Sequence, residues 1–311
     1  MTQKIDPRIH VDLAHLRSFE RLGKSVSFLP KQKVGSILNG QHASRMKGRG
    51  LNFEELRHYT MGDDIRTIDW KVTARTQTPY VRVYTEERDR PVFLVVDQRM
   101  SMFFGSQLNM KSVTAAEAAA LAAFAVRAKG DRVGGIIFND QGVVEHRPRA
   151  SAAALNRFLG SLAAANSALS ADAPTKDIMS LNTPLEASAR IVKTNALILV
   201  FSDFDGMDAE TERLLSRLSQ KNEVILFSVS DPLKNKFPDL KNLVVTDGEL
   251  QVLLDIESES TRVRLEKFSS GRLARLLAIS RKYGVPVIPL SSAKETASQI
   301  LYLFGARRRQ R

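Results

Sequence analysis

The sequence predicts an α/β fold built on a doubly wound, mainly parallel β-sheet, with a smaller, irregular, β-containing subdomain at the N-terminus. Short, mostly apolar runs recur along the last two thirds of the chain, at residues 92–96, 132–138, 196–201, 223–229 and 285–290. Such runs are typical of strands that are buried on both faces of a sheet. Helix-forming stretches separate most of them, and this alternation indicates parallel strands.

Helices are predicted from composition and from their end signals. Residues 111–129 are rich in alanine, which has the highest helix propensity, and Gly130 ends the stretch. A last helix is predicted to begin at a capping box formed by Ser292 and Glu295. The remaining helices of this part are predicted at 151–165, from Thr183 onward, at 208–220 and at 261–282. Hairpins are predicted where 143–146 returns beside 132–138, and where 243–245 pairs with 251–256.

The first 90 residues follow a different pattern. Residues 10–22 have helical apolar spacing that ends at Gly23, residues 31–50 are basic and rich in glycine, and residues 80–84 alternate like a half-exposed strand. The predicted organisation is therefore an N-terminal subdomain at 1–90, a large domain at 91–306 and a basic tail at 307–311.

Composition excludes several classes of protein. The 311 residues are 43% hydrophobic, enough for a sizeable core, and include no cysteine. Disulfides, cysteine-based metal sites and a cysteine nucleophile are thereby excluded. The N-terminus has no signal-peptide core, and no apolar stretch is long enough to span a bilayer. We expect a cytoplasmic protein without a transmembrane segment.

The net charge of +12 is unevenly distributed. Residues 1–90 carry 17 basic and 11 acidic side chains, residues 91–306 carry 25 and 23, and residues 307–311 include four arginines. The basic N-terminal third and tail would suit non-specific nucleic-acid binding, which predicts a steep salt dependence. Stacking aromatics interleaved with the basic residues are not evident, so this remains an alternative rather than the leading hypothesis.

Residues 53–75, FEELRHYTMGDDIRTIDWKVTAR, alternate acidic and basic side chains around Tyr59 and Trp70, the one tryptophan of the chain. Opposite charges at this density predict a partly buried network of ion pairs and hydrogen bonds, in which arginines bridge carboxylates. A structural role is the favoured interpretation of these charges.

Polar side chains follow two of the predicted strands. Asp97, Arg99 and Ser101 come after the strand at 92–96, and Asp203 comes after the strand at 196–201. The carboxyl ends of parallel strands form the edge where α/β sheets bind ligands, so we expect these side chains to converge there with Thr183. Two local explanations remain open: Asp97 would accept backbone N–H groups in a tight turn, and Thr183 would cap its helix.

This constellation resembles the metal-ion-dependent adhesion site of von Willebrand factor A domains, a D-x-S-x-S turn with a separate threonine and aspartate. The resemblance implies that Asp97, Ser101, Thr183 and Asp203 hold a divalent cation such as Mg²⁺, with one position left for a partner's carboxylate. Arg99 departs from the motif, because it replaces the first serine. A guanidinium cannot ligate a metal, but it could bridge Asp97 and Asp203 in the cation's place and so modify the site or bind the partner.

The chain also resembles a bacterial family called domain of unknown function 58, over roughly residues 35–290. The family pattern is F-x-E-L-R-x-Y-x-x-G-D-D-x-R-x-I-D-W-x-x-x-A-R, placed before a von Willebrand A-like strand. The matching residues are Phe53, Leu56, Arg57, Tyr59, Gly62, Asp63, Asp64, Arg66, Ile68, Asp69, Trp70, Ala74 and Arg75. The resemblance implies partnership with MoxR-type AAA+ ATPases.

The leading hypothesis is thus a non-enzymatic adaptor that binds a protein partner, a MoxR-type ATPase acting in the assembly or maturation of complexes, through a degenerate adhesion site. Besides nucleic-acid binding, the other alternative to this adaptor is a phosphate-ester hydrolase with Asp97 as nucleophile. Arg99 stands where such an enzyme carries its general acid, and the five histidines show no catalytic pairing. The sequence does not indicate an oligomeric state.

Overall fold

The computed structural model describes residues 6–26, 51–86, 90–171, 178–232, 242–246, 251–255 and 259–305. The chain divides into two compact units, a large one made of Met1–Pro30 and Arg90–Arg311 and a small one made of Lys31–Asp89. The predicted loop at 31–50 and the predicted tail at 307–311 lie outside the described residues.

The described helices and strands are, in chain order, α1 (Leu13–Ser18), α2 (Glu20–Gly23), β1 (Leu51–His58), α3 (Trp70–Thr76), β2 (Tyr80–Glu86), β3 (Val92–Asp97), α4 (Lys111–Ala128), β4 (Val133–Asn139), β5 (Gly142–Arg149), α5 (Ala152–Ser167), α6 (Asn182–Ile191), β6 (Leu197–Ser202), α7 (Ala209–Lys221), β7 (Glu223–Ser230), β8 (Asn242–Thr246), β9 (Gln251–Asp255), α8 (Glu259–Tyr283), β10 (Val287–Ser291) and α9 (Thr296–Phe304). Short 3-10 turns at Ile65–Thr67 and Met100–Met102 complete the description.

The large unit is built on a six-stranded sheet with the order β5-β4-β3-β6-β7-β10. All neighbours run parallel except β4 and β5, which form the predicted antiparallel hairpin. Every residue of β3 and β6 is buried, as expected for strands covered on both faces. The predicted fold class, a doubly wound and mainly parallel α/β sheet, is confirmed, and its strand order is that of nucleotide-binding sheets.

Helices cover both faces of this sheet. One apolar core joins β3, β4 and β6 to α4, α5 and α9, and the other lies between the opposite face and α6, α7 and α8. The alanine-rich α4 is buried on all sides, since small side chains let it lie close to the sheet and to neighbouring helices at once. The predicted hairpin near 243–256 is present as β8 and β9, which pair antiparallel outside the main sheet.

The N-terminal segment belongs to the large unit, which differs from the predicted boundary at residue 90. Val11 and Leu16 are buried in the core that contains α4, and Val26 forms a β-bridge with Gly305. Gly23 allows the close approach, because a Cβ built on it would lie 2.5 Å from the Cβ of Phe124. The apolar spacing at 10–22 therefore marks a face packed on the large domain, and it forms two short helices instead of one.

The small unit contains an antiparallel pair, β1 and β2, with a register shift between Phe53 and Glu55. The first of these strands is not predicted by alternation, because charged residues interrupt it. The chain then passes through the 3-10 turn into α3, and Asp69 caps α3 by accepting N–H groups of Lys71 and Val72 at 3.0 and 3.2 Å.

Two predicted helix starts are wrong. The last helix begins at Thr296 without a side-chain cap, and the hydroxyl of Ser292 instead donates to Asp231 at 2.5 Å. The helix α6 begins at Asn182, before Thr183, and its capping position is Leu181, again without a side-chain cap. Among the described residues, none of the helices combines the length and hydrophobicity that crossing a bilayer requires.

Candidate functional site

The candidate site lies where the direction of chain winding reverses in the large sheet. After β3 the chain winds outward through β4, and after the following helices it returns to β6 on the other side of β3. The carboxyl ends of these adjacent strands therefore flank a crevice between diverging loops. Asp97 ends β3, and Ser202 and Asp203 follow at the end of β6, so the sheet itself brings these predicted residues together.

Asp97 is completely buried and its carboxylate is fully engaged. The guanidinium of Arg99 forks onto it, with Nε 3.0 Å from Oδ1 and Nη2 2.7 Å from Oδ2. The backbone N–H of Arg99 also donates to Oδ1 at 3.0 Å, and the hydroxyl of Ser202 donates to Oδ2 at 2.6 Å. Both oxygens thus accept charge-assisted or hydroxyl hydrogen bonds, so the turn-stabilising and ion-pairing roles of Asp97 coexist.

The rest of the Arg99 side chain is held equally firmly. Its Nη1 donates to the carbonyl of Met179 at 2.9 Å, and Nη2 donates to the carbonyl of Asp205 at 3.2 Å. The guanidinium carbon lies 5.5 Å from the ring centroid of Phe138, within cation–π range. Asp140 fixes Met179 by accepting its N–H at 3.1 Å. Arg99 is 1% exposed, so the site is built around it.

Asp203 has a different cation. The ammonium of Lys111 lies 2.5 Å from its Oδ2, and both side chains are buried. Ser101 donates to Oδ1 at 3.4 Å, and the backbone N–H of Asp205 donates to the same oxygen at 3.0 Å. Arg272 adds a second cation, with Nη1 3.8 Å from Oδ2, and it is also paired with Asp205. The predicted bridge by Arg99 between the two aspartates is replaced by two separate ion pairs.

The pKa directions within the first pair reflect burial and pairing. Burial raises the pKa of Asp97, and the charge of Asp203 acts in the same direction, while Arg99 opposes both. Burial alone would lower the pKa of Arg99, but the neighbouring carboxylates outweigh it and raise that pKa. Every group that hydrogen-bonds to the Asp97 oxygens is a donor. These donors are all satisfied when Asp97 is an ionised carboxylate paired with the charged guanidinium of Arg99.

Thr183 does not join this cluster. Its side chain is exposed on the first turn of α6, and within the described part of the chain it makes no hydrogen bond with Asp97, Ser101 or Asp203. The neighbouring Asn182 makes the contacts at this helix start, accepting from Thr211 at 2.7 Å. Sequence order places Thr183 near the sheet edge, but the helix turns its hydroxyl outward.

The side chains at the strand ends do not fit a divalent cation. A magnesium site needs carboxylate and hydroxyl oxygens with free lone pairs directed at one point. Here Arg99 covers Asp97 and Lys111 covers Asp203, so protein cations already balance both negative charges. Among the described residues, no cluster of three or more histidine or acidic side chains is arranged to hold a metal ion.

Lys111 and Arg272 are the functional candidates that sequence reasoning missed. Lys111 carried a usable signal, since it begins α4, and a positive charge at a helix N-terminus opposes the helix dipole unless an anion lies nearby. Arg272 lies on α8, about 70 residues after Asp203, and the spacing of the chain gives no sign of this contact.

A second buried carboxylate fixes the adjoining loop. Asp231 follows β7 and accepts from the hydroxyl and the N–H of Ser106 at 2.5 and 2.9 Å. Ser292, after β10, donates to the same carboxylate at 2.5 Å. The loop that leaves the Asp97 turn is therefore tied to the ends of two further strands, which holds the crevice in shape.

The charged segment 53–75 lies in the small unit and differs from the predicted, partly buried network. Arg57 pairs with Asp63 through two bonds of 2.9 and 2.6 Å, and Asp63 also accepts from Thr60. This pairing is local and exposed, and it lowers the pKa of Asp63 to about 2, because Arg57 and Thr60 stabilise the carboxylate. Trp70, expected at the centre of the network, is 68% exposed.

The remaining residues of that segment divide into two groups. Tyr59 is half-buried, Gly62 has a φ of 111° that suits a glycine turn, and Asp64 and Asp69 cap the 3-10 turn and α3. These positions support the local fold. The side chains of Arg66 and Arg75 are exposed and play no such part.

Comparison with known proteins gives relatives along almost the whole chain. A protein called "Uncharacterized protein Rv1480", from Mycobacterium tuberculosis, is 28% identical over 287 residues, which is 92% of this chain and 89% of that protein. A Mycobacterium bovis protein called "Uncharacterized protein Mb1516" matches to the same extent.

Solved structures with a similar chain path include a BatB protein from Bacteroides thetaiotaomicron, with a TM-score of 0.41 and 11% identity, covering 68% of this chain and 93% of that one. An aerotolerance-related membrane protein from Bacteroides fragilis has a TM-score of 0.43 and 12% identity, covering 68% and 96%. The family model described as "Protein of unknown function DUF58" matches residues 55–275, well over half of the chain. The chain belongs to the DUF58 family.

Proposed function

We propose that this chain is a protein-interaction adaptor of the von Willebrand A-like class, and that its partner is a MoxR-type AAA+ ATPase. The observation that carries the proposal is the pair of buried aspartates at the strand ends, each neutralised by a protein cation. A rigid, charge-balanced edge of this kind suits the docking of a partner and needs no bound metal.

The same geometry argues against the hydrolase alternative. A nucleophilic aspartate needs an oxygen that can reach a phosphorus atom. Both oxygens of Asp97 accept hydrogen bonds, and the side chain is completely buried. Displacing the Arg99 fork to free one oxygen would leave a buried guanidinium without its carboxylate, which is costly.

The surface that would meet the partner is formed by the loops above this edge, and we call it the strand-end surface. It includes the exposed side chains of Leu108, in the loop before α4, and Ile178, in the segment before α6, which are 40% and 68% accessible. It also includes the half-buried pair formed by Arg272 and Asp205, which follows the end of β6. Apolar side chains next to a charged pair are the combination found in protein interfaces, where the apolar groups give affinity and the charges give specificity.

The test is a binding measurement with purified proteins. The MoxR-type ATPases of the source organism would each be immobilised and titrated with this chain, with ATP or ADP present. We expect saturable binding to one of them, weakened at least about tenfold by Ile178→Asp, because a buried charge in an apolar contact opposes association. Tyr302→Asp, at an exposed position of α9, is the matched control and should bind normally.

Two results would contradict the proposal. One is the absence of binding to every MoxR-type ATPase tested. The other is binding that Ile178→Asp and Leu108→Asp leave unchanged, which would place the contact away from the strand-end surface.

A further inference from the structure

The small unit exposes an unusual group of side chains, which we call the Trp70 surface. Met61 is fully exposed, and Ile65 and Trp70 are 64% and 68% exposed. Large apolar side chains are common singly on protein surfaces, so three within ten residues of chain make this segment a candidate binding surface. Arg66, Lys71 and Arg75 are exposed in the same short segment.

The local structure explains why these side chains point outward. Asp69 is buried and caps α3, while Ile68 forms a β-bridge with Val81, so the chain between the 3-10 turn and α3 faces the β1–β2 pair. On α3 itself, Val72 and Thr73 are half-buried on the inner side. The helical repeat then directs residues 70, 71, 74 and 75 to the outer side.

The charges of this surface are unbalanced. Within the part of the chain that the structure describes, the side chains of Arg66, Lys71 and Arg75 make no hydrogen bond or ion pair. Lys71 and Arg75 are four residues apart on one face of α3, an arrangement that like charges disfavour. Among the acids described between residues 61 and 75, Asp64 is the exposed one, and it accepts the N–H of Arg66. The surface is therefore apolar and net positive.

We propose that the Trp70 surface binds an acidic protein segment that also carries apolar side chains. Carboxylates of the segment would pair with Arg66, Lys71 and Arg75, and its apolar groups would cover Met61, Ile65 and Trp70. The unpaired cations indicate an anionic partner, and the two aliphatic side chains indicate that the partner has apolar groups to bury.

Two other occupants fit the same surface less well. A second copy of the chain would bring like charges together, which opposes association. Single-stranded nucleic acid would stack on aromatic rings, but Met61 and Ile65 offer no ring face.

The chain contains its own reporter for this surface, because Trp70 is its one tryptophan. An acidic amphipathic peptide of glutamate and leucine would be titrated into the full-length protein, with a matched peptide that carries lysine in place of glutamate. We expect the acidic peptide to shift the Trp70 emission to shorter wavelength in a saturable manner, and added salt to weaken this binding. The lysine peptide should produce no shift.

Charge-reversal variants localise the effect. Lys71→Glu with Arg75→Glu should weaken binding of the acidic peptide at least about tenfold, since two attractive contacts become repulsive. Arg217→Glu with Lys221→Glu is the matched control, because these exposed cations are also four residues apart, on α7 of the large unit. The control should bind the peptide as the parent does.

Several outcomes would overturn the proposal. These are an unshifted Trp70 emission with the acidic peptide, an equal shift with the lysine peptide, and a shift that the Lys71 and Arg75 reversals leave unchanged. A shift produced by an oligothymidine and not by the peptide would assign the surface to nucleic acid instead. A shift that depends on protein concentration alone would assign it to self-association. None of these results bears on the ATPase binding proposed for the strand-end surface.

Discussion

Arg99 is the residue on which the strand-end site depends. Its guanidinium neutralises Asp97 and satisfies the carbonyls of Met179 and Asp205, so one side chain joins the ends of β3 and β6 to the segment before α6. The serine expected at this position would leave all of these groups without that partner. Arg99 thus supplies, from within the protein, the cation that neutralises Asp97.

Removing Arg99 should destabilise the protein strongly. Arg99→Met leaves a buried carboxylate without its cation, and we expect a loss of about 3–5 kcal/mol in the free energy of unfolding. Urea denaturation followed by circular dichroism measures it. Combining Arg99→Met with Asp97→Asn should cost less than the sum of the two single changes, because the uncompensated charge is gone. A small effect of Arg99→Met would show that Asp97 does not depend on this pair.

For single residues, the sequence predicts which residues lie at the site better than it predicts which residues they contact. Asp97, Ser101 and Asp203 are predicted at the sheet edge because each follows or lies just beyond an apolar strand, and the structure brings them there. Lys111 and Arg272 are not predicted, because ion pairs between distant elements leave no regular spacing in the chain. Thr183 lies at the start of α6, close to its predicted position, but its side chain does not point to the site. The helix begins one residue earlier than predicted, and this shift changes the direction of the Thr183 side chain.

Among the elements, α1 is attached to α4 by a titratable contact. The ring Nε2 of His15 lies 2.7 Å from Oε1 of Glu117, and this hydrogen bond raises the pKa of His15. A raised histidine pKa means that folding favours the protonated ring. The stabilisation is therefore complete below the unfolded pKa of about 6.5 and is lost as pH rises through the folded value.

The predicted result is a free energy of unfolding that falls by up to about 1 kcal/mol as pH rises through this window, in the parent but not in His15→Gln. Burial lowers the pKa of His146, whose contribution has the opposite sign and rises with pH. His146 contributes equally to both proteins, so its contribution cancels when the free energies of unfolding of the parent and of His15→Gln are subtracted at each pH. If both proteins show the same pH profile, the contact does not stabilise the fold.

The close packing of α2 on α4 gives a second prediction at this scale. Gly23→Ala places a methyl group against Phe124 and should cost about 1–3 kcal/mol, because a packed core resists an added group. Gly160→Ala is the matched control within α5, where no atom lies within 4 Å of the added Cβ. That change should stabilise by about 0.5–1 kcal/mol, from helix propensity. Thermal melting compares them, and equal effects would contradict the packing described.

The sequence predicts best the helices and strands whose residue patterns are strongest. The buried strands and the alanine-rich α4 stand out because their apolar residues are continuous or their helix propensity is high. In contrast, β1 carries charged residues that disguise its alternation, and its pairing with β2 depends on a register shift that no local signal indicates. The expected cap at Ser292 fails because a buried carboxylate, Asp231, competes for the hydroxyl.

At the scale of the whole molecule, sequence and structure agree on the doubly wound sheet and differ on its boundaries. The chain between 31 and 89 forms the small unit, while the N-terminal segment contributes Val11 and Leu16 to the core of the large one. Composition along the chain does not show this, because a short amphipathic segment looks the same whichever unit its apolar face covers.

We propose that the strand-end site needs no metal ion, because Arg99 and Lys111 already neutralise its two aspartates. The most direct test is the melting temperature of the parent and of Arg99→Ser, measured with and without millimolar Mg²⁺. We expect no response to Mg²⁺ in the parent, because its carboxylates are already paired. A parent protein whose melting temperature rises with Mg²⁺, whether or not that of Arg99→Ser also rises, would contradict this expectation.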